Sequence, residues 1–222
     1  MKTWLAIETA TEACSVALFD GKRVWQDLIV APNRHSELLL PMIDGLLAAA
    51  GMRLAHIDAF AVGVGPGGFT AVRLGVSTVQ GLAIAMERPI YPISSLQALA
   101  ASVPERPVLV ALDARRGEVY AAAFVPDAAA TPQLLGAEQV CRPELLGWPP
   151  AEGEWLGLGT GWSVYADRWP QVSCWRADCY PAAAQILALA RRQAADGLVG
   201  IPPEAVEPRY LRPSQAEEAR QR

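Results

Sequence analysis

Two stretches of this chain share one plan. "WLAIETATEACSVALFDG" at residues 4–21 and "VLVALDARRGEVYAAAFVPD" at residues 108–127 each begin as an apolar strand that closes on a carboxylate, Glu8 or Asp113. Each then turns through a few polar residues and returns as a second strand of similar length. A chain of 222 residues that restarts its own pattern at mid-length predicts two related lobes facing a cleft. Two unrelated hairpins are the alternative, because the echo is short.

The segments around the first hairpin predict an α/β lobe over residues 1–104. "NRHSELLLPMIDGLLAAAG" reads as a helix with Asn33 as N-cap and Gly51 as its stop. Pro41 inside it should kink the helix or leave a ragged first turn. "IDAFAVGV" reads as a buried strand of a parallel sheet and leads into the loop "GVGPGGFT". A helix from about Phe69 to Met86 follows, then the strand "PIYPI" and the helix "SSLQALAASV", capped by Ser94 or Ser95. Strands first, then helix alternating with strand, define this lobe. Residues 105–222 are expected to form a smaller lobe with one long helix, "AAAQILALARRQAADG", and an extended tail that frays.

Composition narrows the function classes. With 52% apolar and 19% charged residues the chain folds rather than staying disordered. No apolar run is read as reaching the roughly 18–20 residues of a membrane span. Glu8 interrupts the N-terminus before a signal-peptide core could form, so a cytoplasmic location without membrane contact is expected. The net charge is −4 and no Lys/Arg run occurs, so any RNA would be held mainly by another protein. Cys14, Cys141, Cys174 and Cys179 lack metal-ligand spacing, and His35 and His56 are not a helical pair, so no metal is expected.

Gly63, Gly65 and Gly68 match G-x-G-x-x-G between a strand and a helix. The dinucleotide fingerprint also needs an acid at the tip of the next strand, whereas Glu87 falls at the end of the helix. No Lys-Ser/Thr follows the glycines, which excludes a Walker loop. Two readings remain. Gly65, Gly67, Gly68, Phe69 and Thr70 offer helix-start amides to a phosphate or nucleotide. Alternatively, and preferred here, Pro66 and its glycines build a tight turn where another backbone comes close. Glu8 and Asp113 invite a metal or general-base role, yet no nucleophile, His pair or basic clamp accompanies them; acids so placed also cap turns.

The first helix carries more apolar surface than one contact requires. Leu38, Leu39, Leu40, Met42, Ile43, Leu46, Leu47 and Ala50 cover roughly 200°, where one-sided packing needs about 100°. Either the lobe buries this helix on two sides, or the surplus meets a second chain. In the next helix Val72, Val76, Val79, Ala83 and Met86 suit the sheet, while Arg73, Ser77, Gln80 and Ile84 form a mixed, small-residue face opposite. The expectation is a four-helix contact made by these two helices and two from a partner.

In order along the chain, "AIETATEACSVAL", "HSELLLPMID", "GVGPGGFTAVRLGVSTVQGLA", "SSLQALA", "DARRGEVY" and "PRYLR" resemble the TsaB (YeaZ) family, from Ala6 to Arg212. The resemblance implies the actin-like/Hsp70-like (ASKHA) fold, two lobes each with a mixed sheet and flanking helices. It implies a non-catalytic partner for the related protein TsaD, which transfers a threonylcarbamoyl group to the adenosine beside the anticodon of tRNA. The ATPase TsaE joins that assembly, so ATP or ADP would bind at the partner interface or to the ATPase. It also implies that the first two helices dock on TsaD and can pair two copies of the chain. That role carries over to His35 through Leu47 and to the face from Arg73 to Ile84. The metal-binding His-x-x-x-His of TsaD is not matched, since Leu39 stands four places after His35. Departures are Glu8 where the family often has Asp, Gly68 for Ser and Ala71 for Gly; the first argues against a metal or nucleotide role there. The rivals are a kinase or peptidase-like enzyme of the actin-like class holding ATP among Glu8, Asp113 and the glycine loop, and a homodimer with an unrelated regulatory role.

Overall fold

The computed structural model describes residues 2–148 and 154–212. The end of the tail expected to fray, residues 213–222, lies outside the described residues. The first hairpin forms as expected, with β1 (Trp4–Glu8) antiparallel to β2 (Ala13–Phe19) and β3 (Val24–Val30) added at the edge. α1 (His35–Ala49) leads to β4 (Ala59–Gly63), and α2 (Phe69–Met86) to β5 (Ile90–Ile93); both strands run parallel to β1 in the order β3-β2-β1-β4-β5. After α3 (Ser95–Ala100) come β6 (Val108–Asp113), β7 (Val119–Pro126) and β8 (Pro132–Cys141), then β9 (Leu156–Leu158), α4 (Gly161–Tyr165), β10 (Trp175–Arg176) and α5 (Ala183–Ala195). The second sheet has the order β8-β7-β6-β9-β10. Its hairpin β6–β7 occupies the place of β1–β2, and β9 and β10 take the places of β4 and β5. The echo in the sequence is thus one topology used twice.

Both faces of the first sheet are covered, which is why β1, β2 and β4 are buried along their whole length. Leu5, Ile7, Val16 and Leu18 meet α1 and α2 in one core. Ala6, Ala17, Ala59 and Ala61 keep the opposite face low, and Ile186, Leu187 and Ala190 of α5 settle on it. The boundary at 104/105 therefore separates the two sheets, but packing does not respect it: α5 and the segment after it return to the first sheet. In the second lobe, Leu96 and Leu99 of α3 pack with Val110, Leu112 and Phe124, and on the other face Trp162 and Trp169 stack edge to face at 4.8 Å.

Local punctuation explains the helix ends. Gly51 ends α1 at φ 64°, with the amides of Gly51 and Met52 bonded to the carbonyls of Ala48 and Leu47. Ser94 caps α3 by accepting the Gln97 amide at 3.2 Å. Contrary to the expectation from sequence, Asn33 does not cap α1. Arg34 holds the N-cap position without a side-chain bond to the helix amides, its guanidinium pairing instead with Glu37 at 2.9 Å, and Asn33 stands just before it in the left-handed region, φ 63°. α1 runs through Pro41 unbroken. One further correction concerns α2: with Arg73 as its lone charge, it is long and apolar enough by length and composition to cross a membrane. In this fold its Val72, Val76, Val79 and Ala83 stripe is buried against the sheet.

Candidate docking surface and interlobe cleft

The surplus on α1 is largely absorbed by its own lobe. His35, Leu39, Met42, Ile43 and Leu46 are all buried, with Leu39 only 1% exposed. The apolar ones join the core they share with β2 and α2, against which Trp25, Met52 and Leu54 also pack. This corrects the sequence expectation: those five side chains offer a partner almost no area, because the lobe wraps α1 from more than the sheet side. Leu38 is half-buried. On α2, Arg73, Ser77 and Ile84 are exposed as expected, whereas the Gln80 amide is held by the carbonyls of Pro203 and Val206 at 2.9 and 3.0 Å.

The outward side of the two helices is built from other residues. Leu40 on α1 is 55% exposed and Ile84 on α2 is 60% exposed. Gly45 in the middle of α1 and Gly81 in α2 are exposed, and a Cβ added at either would meet nothing within 4 Å. Glycine inside a helix destabilises it by roughly 0.5–1 kcal/mol relative to alanine. Within the isolated chain neither glycine has a packing reason. Sequence reasoning missed Leu40 as the exposed leucine, because a broad apolar arc does not tell which edge the sheet covers. The two glycines were legible as helix-interior glycines in the text.

Between the lobes lies a cleft of about 1080 Å³, walled by the β1–β2 turn, the head of α2, the β6–β7 turn and residues 209–212. The two echoing hairpins meet here, where the Arg115 guanidinium pairs with Glu12 of the opposite lobe. Asp113 is tied to its own turn: it accepts the Arg115 amide at 2.9 Å and lies 3.3 Å from that residue's guanidinium. Glu8 does not reach the cleft. Its carboxyl is fully buried, accepting the Ser95 hydroxyl at 2.7 Å and the Ala10 amide at 2.6 Å, and burial raises its pKa. Both acids thus fasten chain segments, in keeping with turn capping.

The glycine loop does the same kind of work. A Cβ on Gly67 would sit 2.3 Å from the Ala10 carbonyl oxygen, and the Gly68 amide donates to that oxygen at 2.8 Å. On Gly63 it would sit 2.0 Å from Glu8 Oε2. The loop is glycine-rich because the β1–β2 turn lies directly against it, as the turn reading expects. Gly67, Gly68, Phe69 and Thr70 line the cleft. Gly65 instead exchanges bonds with Ser95 at 3.2 and 2.9 Å. Among the described residues no group of three or more His, Cys, Asp and Glu could hold a metal ion. All four cysteines are free, and burial pushes the Cys14 thiol up to about 11.

Two lobes of matching topology on either side of a cleft define the actin-like (ASKHA) class. The family described as "TsaD: tRNA N6-adenosine threonylcarbamoyltransferase" matches residues 29–155. The chain is 37% identical over 217 residues to the tRNA threonylcarbamoyladenosine biosynthesis protein TsaB of Escherichia coli strain K12, covering 94% of both chains. It superposes on YeaZ from Pseudomonas aeruginosa with a TM-score of 0.88 at 40% identity, covering 95% of this chain and all of that one. A second Pseudomonas aeruginosa structure, described as an uncharacterized protein with similarity to peptidase YEAZ, gives a TM-score of 0.89 at 40% identity over 96% of this chain and 100% of that one. The chain belongs to the TsaB (YeaZ) family.

Proposed function

We propose that this chain is a non-catalytic subunit in the synthesis of threonylcarbamoyladenosine in tRNA, and that it docks on a TsaD-like catalytic subunit through the outward side of α1 and α2. The observation that carries the docking is the pair of helix-interior glycines in open space, Gly45 and Gly81, on helices that also expose Leu40 and, three residues from Gly81, Ile84. Small residues let a partner helix approach closely, and the flanking apolar side chains then bury area. The same side pairs two copies of the chain when the catalytic partner is absent. A TsaE-like ATPase joins the assembly, ATP or ADP belongs to that subunit or to the partner interface, and tRNA is held mainly by the partner. The protein works in the cytoplasm.

The non-catalytic reading is supported by Glu8 and Asp113, each bonded into its own turn, so that neither acid is poised on a substrate. The rival is an ATP-binding enzyme, and the cleft of about 1080 Å³ is what favours it. Calorimetry of the isolated chain with magnesium and ATP separates the two, since tight binding supports the enzyme. The docking test uses Ile84→Glu. This variant should keep the parent melting temperature, lose association with the TsaD-like subunit, and fail to restore threonylcarbamoyladenosine to tRNA in a strain lacking this protein. Normal assembly of Ile84→Glu would reject the assigned surface.

A further inference from the structure

We propose that residues 207–212 form a strap that ties the two lobes together across the cleft and holds it closed through the guanidiniums of Arg209 and Arg212. After α5 the chain returns to the first lobe and is anchored there step by step. Ile201 pairs with Ile90 through two backbone bonds of 2.9 Å. Gln80 holds the carbonyls of Pro203 and Val206, and the Val206 side chain enters the first core. The Arg209 amide donates to the Val64 carbonyl at 2.7 Å, and its own carbonyl rests on Gly65, where a Cβ would be 3.3 Å away. Tyr210 stacks on Phe69 at 5.3 Å and accepts a bond from Arg73, whose guanidinium lies 3.8 Å above the Phe69 ring.

From that anchored base two cations reach the other lobe. The Arg209 guanidinium meets the buried Glu138 carboxylate of β8 at 3.1 Å. Arg212 donates to the Ala114 carbonyl at 3.2 Å and pairs with Glu118, both in the β6–β7 turn. One short segment thus holds the head of α2, the second sheet's edge and the turn that walls the cleft, while residues 209–212 are themselves part of that wall. Charge-assisted bonds of this kind are strong, and both pairs are at least partly covered: Glu138 is 1% exposed against 47% for Arg209, and Arg212 is 19% exposed.

Hydrogen exchange on the full chain tests this without any partner, so its outcome is separate from that of the docking reading. Arg212→Gln removes one of the strap's two contacts to the second lobe, Tyr210→Ala removes its seat on the head of α2, and both leave buried Glu138 paired. In both, amide exchange at Gly68 and Val72 and in residues 112–118, on opposite walls of the cleft, should rise about tenfold or more, with β1, β4 and α5 unchanged. Because removing Arg209 alone strands Glu138, it is replaced together with Glu138→Gln, and this pair should reproduce the pattern. Faster exchange confined to residues 207–212, with both walls protected as in the parent, would overturn the proposal.

Discussion

Replacing Gly45 and Gly81 by alanine should make the isolated chain more stable. Neither residue has a positive φ, and an added methyl group meets nothing within 4 Å at either site, so no clash offsets the gain. Alanine removes backbone freedom from the unfolded chain and shields helical carbonyls, worth roughly 0.5–1 kcal/mol at each site. The two sites lie on different helices, so the effects should add to about 1–2 kcal/mol. For a chain of 222 residues that corresponds to a rise of about 2–8 °C in melting temperature. Thermal and urea unfolding of the two single variants and the double variant measure it. The companion change, Gly81→Leu, should also raise the melting temperature, since leucine is nearly as good a helix former as alanine, but weaken association with the TsaD-like subunit at least tenfold, about 1.4 kcal/mol, by calorimetry. If both alanine variants lose stability, these glycines serve the monomer itself. If Gly81→Leu binds as tightly as the parent, no helix approaches there. Either result refutes the reasoning.

Leu39→Asp should unfold the chain rather than merely dissociate it. The site is 1% exposed, and an unpaired charge there costs several kcal/mol against a total stability of about 5–15; far-ultraviolet circular dichroism reports the loss, while neighbouring Leu40→Asp should melt like the parent and fail only in assembly. Glu8 gives a pH signature. Because burial raises its folded pKa, the native chain holds this proton more tightly than the unfolded chain, so its contribution to stability is greatest at acid pH and declines as pH rises from the ordinary carboxylate range toward the raised value. Glu8→Gln should remove that decline, and a urea midpoint that keeps the parent's slope over the same window would show that another group titrates.

What could be read without coordinates was what depends on neighbours along the chain. Gly51 as a helix stop, Ser94 as a cap, the bounds of α2 and the twin hairpins all follow from backbone preferences and periodicity acting within a few residues. The tertiary structure decided everything that depends on who comes from far away. The first sheet and α2 take up one side of α1, so Leu39 and Ile43 are buried in the core while Leu40 is exposed. Ser95 arrives beside Glu8 and makes it a buried fastener. α5 crosses to the first sheet, and Arg209 and Arg212 span the cleft. A helix's apolar arc states how much surface must be hidden; which element hides it is set by distant chain segments meeting in space, and one-dimensional pattern carries no record of that meeting.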